Sequence, residues 1–335
     1  MGNTVDQEEV EDFHHFLRTS TNLFTKNIYN TPDNTWKSLR GLSENINITV
    51  LCGDKDSTVV IIPREAYIAK LETMIEEGIN QGKYEITTDR TMWDLKSFQD
   101  FLYHQFSKNS SAAMDYNQIR PVSNQPARLY ATAKTHKFDD YKDITTQNLK
   151  LRPIISTCGT YFYETAKTLS KYLAPLAENQ HTIKNTLDFA DKLRDQTLDE
   201  DEIVVSYDVT SLFTEIPLDE TINYIIDQIY NQQKLPQITS KPIFKRLLER
   251  VTKGTTFTFN GKLYKQVDGC SMGNPLSPTL ANIFMCKLEA DVVTPDNRFP
   301  STTDTLMTVV QRGKQMHRTP YLIISTATTQ TLSLQ

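Results

Sequence analysis

The sequence lacks a long apolar run. No stretch approaches the roughly 18 unbroken apolar residues that a membrane span needs, and the first residues, MGNTVDQEEVEDFHHF, contain neither a basic leader nor an apolar stretch behind one. Asp6 stands where the myristoylation pattern requires Ser or Thr. We therefore expect a soluble protein of the cytoplasm or the nucleus, with no membrane among its partners.

Cysteine is scarce. The chain of 335 residues has four, at Cys52, Cys158, Cys270 and Cys286. They do not form the closely spaced pairs that are typical of a zinc site, and their scatter does not indicate a disulfide framework. We expect reduced thiols that mostly pack against other side chains.

An overall excess of positive charge is also lacking. The formal net charge is −5, whereas a protein that binds nucleic acid through its phosphates usually has the opposite balance. The segment from Arg128 to Lys184 is different, because its Lys and Arg residues outnumber its Asp and Glu residues. This segment could line a phosphate track.

Hydrophobic periodicity predicts a mixture of strands and helices. The segment ITVLCGDKDSTVVIIP predicts two strands around a polar turn, and REAYIAKLETMIEEGI predicts a helix after them. LRPIIS and EIVVSYD predict further strands, and Asn260-Gly261 predicts a type I′ hairpin. Two helices are predicted from apolar stripes, the first of them opened by Pro217: the stripes are Ile222, Ile225, Ile226 and Ile229, then Leu280, Ile283, Phe284 and Leu288.

Asp208 ends an apolar run, IVVSYD at 203–208. An ionised carboxylate beside a buried strand is costly unless a positive group offsets it, and a divalent metal is one such group. An N-cap or a salt bridge is the alternative, and it is the commoner one for a lone Asp. The loop GCSMGNPLSP at 269–278 follows later in the chain, and its glycines permit close approach of the backbone to a ligand.

Four segments, taken together, resemble the reverse transcriptases of Penelope-like retroelements in order and spacing: LYATAKTHK, LRPIISTCGTYFYETAK, VVSYDVTSLFTEIPLDETI and QVDGCSMGNPLSPTLANIFM. The resemblance runs from DKDSTVVII at 54–62 to LEADVV at 288–293. It implies a right-hand polymerase of the α+β class, with fingers, a partial palm and no thumb. The implied partners are an RNA template, a DNA primer and deoxynucleoside triphosphates, and the implied cofactor is Mg²⁺. DKD at 54–56 departs from the DKG of the family, which leaves the geometry of that turn open.

The resemblance also implies a division of the chain. The predicted parts are an N-terminal helical extension at 1–50, a strand-helix unit at 51–115, fingers at 116–200, a partial palm at 201–297, and an out-of-family, disordered tail at 298–335. The oligomeric state stays open.

Site residues are implied by the same resemblance, position by position. Asp208 matches the first metal-binding aspartate, and the Val209 carbonyl would complete the shell of that metal. Phe213 matches the bulky residue that excludes a ribonucleotide 2′-hydroxyl, with a core aromatic as the alternative. The other nucleotide-binding residues are Lys134, Lys137 and Arg152, which would contact the triphosphate and the template backbone, and Gly269, Met272, Gly273 and Pro275, which would shape the nucleotide pocket. Lys137 and Arg152 have the alternative of being solvated surface charges.

The tail lacks the second set of carboxylates. Polymerases use two Mg²⁺ ions roughly 3.5 to 4 Å apart, and the family supplies the remaining acids from a Tyr-x-Asp-Asp hairpin. After Val293 the chain has only Asp296 and Asp304, which are not adjacent. We therefore expect an incomplete metal site and an inactive chain.

The genetic code offers an explanation for the missing acids. If each codon is read from the third base of one residue and the first two bases of the next, Met307-Thr308 can only give aspartate. In this offset frame the codons that span Asp304 to Thr308 permit the sequence YVDD, and the codons that span Phe299 to Asp304 permit PFYNR. The tail from about Arg298 is therefore interpreted as a palm translated out of frame; a divergent tail is the alternative.

The sequence supports three functional hypotheses. The first is the reverse transcriptase domain of a Penelope-like element, inactive as this chain. The second is a non-catalytic fragment that binds nucleic acid, and the third is a non-functional product of a decayed or mispredicted gene.

Overall fold

The computed structural model describes residues 40–42, 44–107, 114–137, 148–183, 185–194, 202–209, 212–292, 301–305 and 308–314. At 202–208, 301–305 and 308–314 it describes the backbone only. The predicted N-terminal helix lies outside the described residues. The chain divides into two compact units, unit 1 from Met1–Thr73 and Thr132–Arg152, and unit 2 from Met74–Ala131 and Pro153–Gln335. This division cuts across the consecutive segments that the sequence predicts.

Strands and helices alternate along the described residues. The strands are β1 (Ile48–Cys52), β2 (Val59–Pro63), β3 (Tyr84–Ile86), β4 (Ala127–Ala133), β5 (Leu151–Ser156), β6 (Glu202–Asp208), β7 (Thr256–Phe259), β8 (Lys262–Gln266), β9 (Ser301–Thr305) and β10 (Thr308–Lys314). The α-helices are α1 (Arg64–Asn80), α2 (Thr91–Phe106), α3 (Tyr116–Ile119), α4 (Tyr163–Leu173), α5 (Thr186–Arg194), α6 (Leu212–Glu215), α7 (Leu218–Tyr230), α8 (Lys241–Thr252) and α9 (Ser277–Val292). The predicted α+β class is confirmed.

In unit 1, β1 and β2 form an antiparallel pair in which Val50 lies opposite Ile61. Val60 and Ile62 are buried, whereas Val59 and Ile61 are exposed, as the period of two in a half-buried strand requires. The polar turn between the strands is attached to the end of β4, because Gly53 forms a parallel bridge with Ala133. The predicted strand-turn-strand-helix order is confirmed.

The helices of unit 2 enclose one apolar core. Ile222, Ile225 and Ile229 of α7 are fully buried, and so are Leu280 and Ile283 of α9. Both predicted stripes therefore face this core, with Leu288 packed at its margin. Pro217 stands at the N-cap of α7, one position before the first helical residue.

A five-stranded sheet has the order β3-β8-β7-β4-β5. Asn260 and Gly261 connect β7 to β8, and both have positive φ, at 47° and 70°. Two consecutive positive φ angles define the type I′ turn, so the predicted hairpin is confirmed. The ends of β4 and β5 belong to unit 1 and the rest of both strands to unit 2.

A second sheet in unit 2 has the order β6-β10-β9. β10 is antiparallel to both neighbours, and β9 and β10 form a hairpin that closes between Thr305 and Thr308. These residues belong to the tail that the sequence predicts to be disordered. At 301–305 and 308–314 the backbone forms two strands, of which β10 pairs with β6 and β9 pairs with β10; the disorder of the tail stays a prediction. Within the described residues, none of the helices is both long enough and apolar enough to span a membrane.

Candidate active site

Asp208 is the last residue of β6, and the chain then enters the core. Val209 is buried at 7% exposure and belongs to the apolar core of unit 2. Phe213, on the short helix α6, is half-buried and packs against the same core. The core-aromatic alternative for Phe213 is thus compatible with its position, and its role toward a sugar stays a prediction.

The loop before α9 begins in close contact with the helix that carries Phe213. Gly269 has φ +70°, and a Cβ placed on it would lie 2.6 Å from the carbonyl oxygen of Thr214. The backbone N–H of Cys270 donates a hydrogen bond of 2.7 Å to the carbonyl of Phe213. Only glycine combines this left-handed backbone with so close an approach. The close approach predicted toward a ligand is therefore made here to the protein's own backbone.

Gly273, further along the loop, contacts the end of β5 in the same way. Its Cβ position lies 2.4 Å from the Ile155 carbonyl oxygen and 2.6 Å from the Cα of Ser156. The N–H of Gly273 donates to the Ile155 carbonyl at 3.2 Å, and the Thr157 hydroxyl donates to the Gly273 carbonyl at 3.0 Å. The loop is thereby held between α6 and β5.

Side-chain hydrogen bonds fix the rest of the loop. Asn274 donates from Nδ2 to the Val251 carbonyl at 2.8 Å, and the Ser277 hydroxyl donates to the Ser271 carbonyl at 2.7 Å. Met272 and Pro275, both predicted to shape the nucleotide pocket, are half-buried. Because its backbone is bonded at both ends and at its base, the loop is a rigid surface, as a preorganised binding site requires.

The β9-β10 hairpin lies beside the strand that ends in Asp208. Thr308 is the register partner of both Asp208 and Thr305. The sequence from 305 to 308 is Thr-Leu-Met-Thr, so it contains no carboxylate. Asp304 on β9 is in register with Val309 of β10, the residue after the one that pairs with Asp208. Asp304 and Asp208 therefore lie on strands that are separated by β10. One aspartate beside such a turn does not fit a two-magnesium centre, whose metals need carboxylates from both strands.

In unit 1, three predicted residues lie around one turn, and we call Lys134, Lys137 and Arg152 the basic cluster. Nε of Arg152 lies 2.8 Å from Oδ1 of Asp54, and the Arg152 side chain is 32% exposed. Lys134 is half-buried and Lys137 is exposed. Arg152 is therefore paired rather than a solvated charge, whereas exposed Lys137 remains compatible with both interpretations.

The turn at 54–56 is closed by a side chain. Asp56 accepts hydrogen bonds from the Thr58 N–H at 3.0 Å and from the Thr135 hydroxyl at 2.8 Å, and these bonds lower the pKa of its carboxyl group. A Cβ on Gly53 would lie 1.9 Å from Oδ1 of Asp56. Asp56 has no positive φ, so the turn does not need the glycine of the family's DKG.

The structure thus groups the predicted residues in two sets. Unit 2 brings together the end of β6, α6 with Phe213, and the loop from Gly269 to Pro275, while unit 1 holds the basic cluster. Sequence reasoning missed the contacts of Thr157 and Thr214 with the loop, and it missed Asp54 as the partner of Arg152. No local sequence signal marked these contacts, because the departure at DKD is at Asp56 and not at Asp54.

Comparisons with known proteins identify the family. A family model described as "Reverse transcriptase (RNA-dependent DNA polymerase)" matches residues 140–319, which is more than half of the 335 residues. The chain belongs to the reverse transcriptase family. The match extends past residue 298, into the segment that the sequence predicts to lie outside the family. No curated protein matches the sequence.

Two solved telomerases are similar to this reverse transcriptase domain. Telomerase from Candida albicans, in complex with a TWJ fragment of telomeric RNA, has a TM-score of 0.50 and 9% identity, covering 80% of this chain and 45% of that chain. Apo telomerase from Candida tropicalis, truncated from its C-terminal domain, has a TM-score of 0.48 and 9% identity, covering 80% and 52%. The first likeness shows the polymerase fold alone. The chain spans about half the length of each.

Proposed function

We propose that this reverse transcriptase domain comes from a Penelope-like retroelement and does not polymerise DNA as the chain stands. The ancestral reaction is RNA-directed DNA synthesis with deoxynucleoside triphosphates. One observation carries the proposal of inactivity: Thr308 is in register with Asp208 and pairs with Thr305, and no residue from 305 to 308 in the sequence has a carboxylate. Reverse transcriptases use divalent metal ions, and at this hairpin the carboxylates for a second metal are missing.

We expect this chain to show no primer extension above background with Mg²⁺ or Mn²⁺ on a primed RNA template. Losing the carboxylate pair removes several kcal/mol of charge stabilisation in the transition state, and each ~1.4 kcal/mol is a factor of ten in rate. The measurement is single-nucleotide extension resolved on a gel. Deoxynucleotide incorporation that Asp208→Ala abolishes would show that the chain retains a working centre.

A second function, binding of nucleic acid without catalysis, is favoured by the basic cluster. Each phosphate that the protein neutralises releases counterions, so that the logarithm of the binding constant falls with the logarithm of salt concentration by about 0.9 per phosphate. Replacing Lys134, Lys137 and Arg152 together by Ala is therefore expected to weaken binding to an RNA-DNA hybrid. It should also reduce the slope of log binding constant against log salt concentration by about one unit for each phosphate that the variant no longer neutralises. The measurement is fluorescence anisotropy across a roughly fourfold range of salt, from about 50 to about 200 mM.

The matched control replaces three exposed lysines of unit 2 by Ala: Lys96, Lys234 and Lys241. This variant loses the same charge, so a general effect of net charge would change its slope equally. An unchanged slope in the basic-cluster variant would show that Lys134, Lys137 and Arg152 do not contact phosphate. A chain that binds no hybrid at all would favour the third hypothesis, a non-functional product.

A further inference from the structure

Asp54 is the most enclosed charged group around the basic cluster. Its side chain is 7% exposed, and its Oδ1 lies 2.8 Å from Nε of Arg152. The Thr132 hydroxyl donates to the same oxygen at 3.3 Å, and the Asp54 N–H donates to the Ala133 carbonyl at 2.8 Å. Asp54 is thus fixed to β4 at the residue before Lys134.

The bonding around this pair is incomplete. Oδ2 of Asp54 and Nε of Arg152 are buried atoms without a hydrogen bond of good geometry in the described part of the chain. The short Nε to Oδ1 distance is therefore an ion pair held by charge. Buried polar groups are normally satisfied, but the unpaired Oδ2 is an acceptor, which an anion cannot satisfy. The feature that points to an anionic ligand is the proximity of three positive groups, because the charges of Arg152 and Lys137 both act on Lys134.

Asp54 contacts the guanidinium at Nε. Among the described residues this contact leaves the two terminal nitrogens for other acceptors. A guanidinium has five N–H donors, and four of them are on these terminal nitrogens. Two parallel N–H donors match two oxygens of a phosphate group. The ion pair with a buried carboxylate restricts the rotamers of Arg152, whereas an unpaired arginine at 32% side-chain exposure would sample several.

We propose that Asp54 is a positioning residue, which orients Arg152 so that its terminal nitrogens bind the oxygens of a polyphosphate chain that Lys134 and Lys137 also contact. This inference rests on the proposed function, because the polyphosphate is the triphosphate of the incoming nucleotide. Asp54 does not touch the ligand and acts through Arg152.

Two effects oppose each other when Asp54 is replaced by Asn. Removing a negative charge raises the local positive potential, which by itself would tighten binding of an anion. Releasing the guanidinium removes its orientation, which weakens binding, because a misaligned fork loses charge-assisted hydrogen bonds. If positioning dominates, Asp54→Asn binds the polyphosphate less tightly, whereas if charge dominates it binds more tightly. The sign of the change therefore decides the proposal.

A pH profile gives a second readout that loss of fold would not produce. Burial lowers the pKa of the Lys134 ammonium, and the charges of Arg152 and Lys137 lower it further. The Asp54 carboxylate opposes this shift. Around the same turn are also Asp56, His136 and Lys150, whose Nζ donates to the Lys137 carbonyl at 3.1 Å. Without Asp54 the pKa of Lys134 falls further, so anion affinity should be lost at a lower alkaline pH than in the unmodified chain.

The test is calorimetric titration of the full chain with sodium tripolyphosphate, at several pH values from neutral upward and at low salt. We expect Arg152→Gln and Asp54→Asn each to weaken binding by about tenfold. The double variant should bind no more weakly than Arg152→Gln alone, because the two residues act as one unit. Asp56→Asn is the matched control, since it removes the same charge from the same turn but lies outside the pair, and it should not weaken binding.

The outcomes separate the two proposals. If Arg152→Gln weakens binding while Asp54→Asn leaves it unchanged or tightens it, Asp54 does not position Arg152, and the phosphate site itself stands. If neither Lys134→Gln nor Arg152→Gln changes binding, or if the unmodified chain binds no tripolyphosphate, the phosphate site of the proposed function fails and the role of Asp54 fails with it. Thermal unfolding of each variant at neutral pH verifies that the variants compared are folded.

Discussion

Restoring the reading frame by one or two bases near the codons of Asn297 and Arg298 is expected to convert an inactive chain into a magnesium-dependent polymerase. The codons of Asp304 to Thr308 permit YVDD in the offset frame, and we expect the restored translation to contain it. Those codons include Thr305 and Thr308, which pair with each other, and Thr308 is in register with Asp208. The aspartates would therefore lie beside the β6 strand end, and primer extension should rise on the order of a thousandfold above the present chain.

The control for this gain is Asp208→Ala in the restored protein, which should return extension to background. Phe213→Val in the restored protein should admit ribonucleotides by opening the space at the sugar. The DNA sequence gives a direct check before any protein is made. A stop codon in the offset frame before the codon of Met307, or codons there that do not encode two aspartates, would remove the frameshift explanation.

Gly269→Ala is expected to destabilise unit 2 far more than Gly261→Ala. Both glycines have φ +70°, but a Cβ on Gly269 would meet Thr214 backbone atoms at 2.6 to 2.8 Å, whereas one on Gly261 would meet nothing within 4 Å. Left-handed backbone costs an alanine about 1 to 2 kcal/mol, and overpacking adds about 1 to 3 kcal/mol. Gly261→Ala should show the first loss alone, and Gly269→Ala should show both.

Urea denaturation followed by far-UV circular dichroism measures both free energies of unfolding. The comparison is matched because the two positions share their backbone conformation and differ in what surrounds the added methyl group. Equal losses in the two variants would mean that α6 and the loop are not in contact at Gly269. The hydrogen bond from Cys270 to Phe213 would then have to be absent too.

Local signals predicted the elements that local chemistry determines. The Asn260-Gly261 turn was predictable because two consecutive residues must tolerate positive φ. The stripe from Ile222 to Ile229 was predictable because a helix that packs on a core needs apolar residues on one face. The strand ending in Asp208 was predictable from its continuous apolar run.

Contacts between distant segments were not predictable in this way. Gly273 meets Ile155 and Thr157 across more than a hundred residues of sequence, and no local pattern indicates which backbone a glycine will approach. The pairing of Asp54 with Arg152 likewise depends on how the turn at 54–56 meets β4. The β9-β10 hairpin was missed because its strands lack apolar alternation, and its pairing comes from backbone groups along β6.

The β9-β10 hairpin shows that backbone pairing and catalytic side chains can be lost independently of each other. Strand pairing joins peptide N–H and C=O groups, and every translated residue except proline supplies both groups, whichever side chain its codon specifies. A shift of one or two bases can therefore erase every catalytic side chain in a hairpin while the hairpin still closes the open side of β6. The backbone fold of a polymerase can in this way persist after the catalytic side chains are lost, and a gene can lose its activity before its product loses its fold.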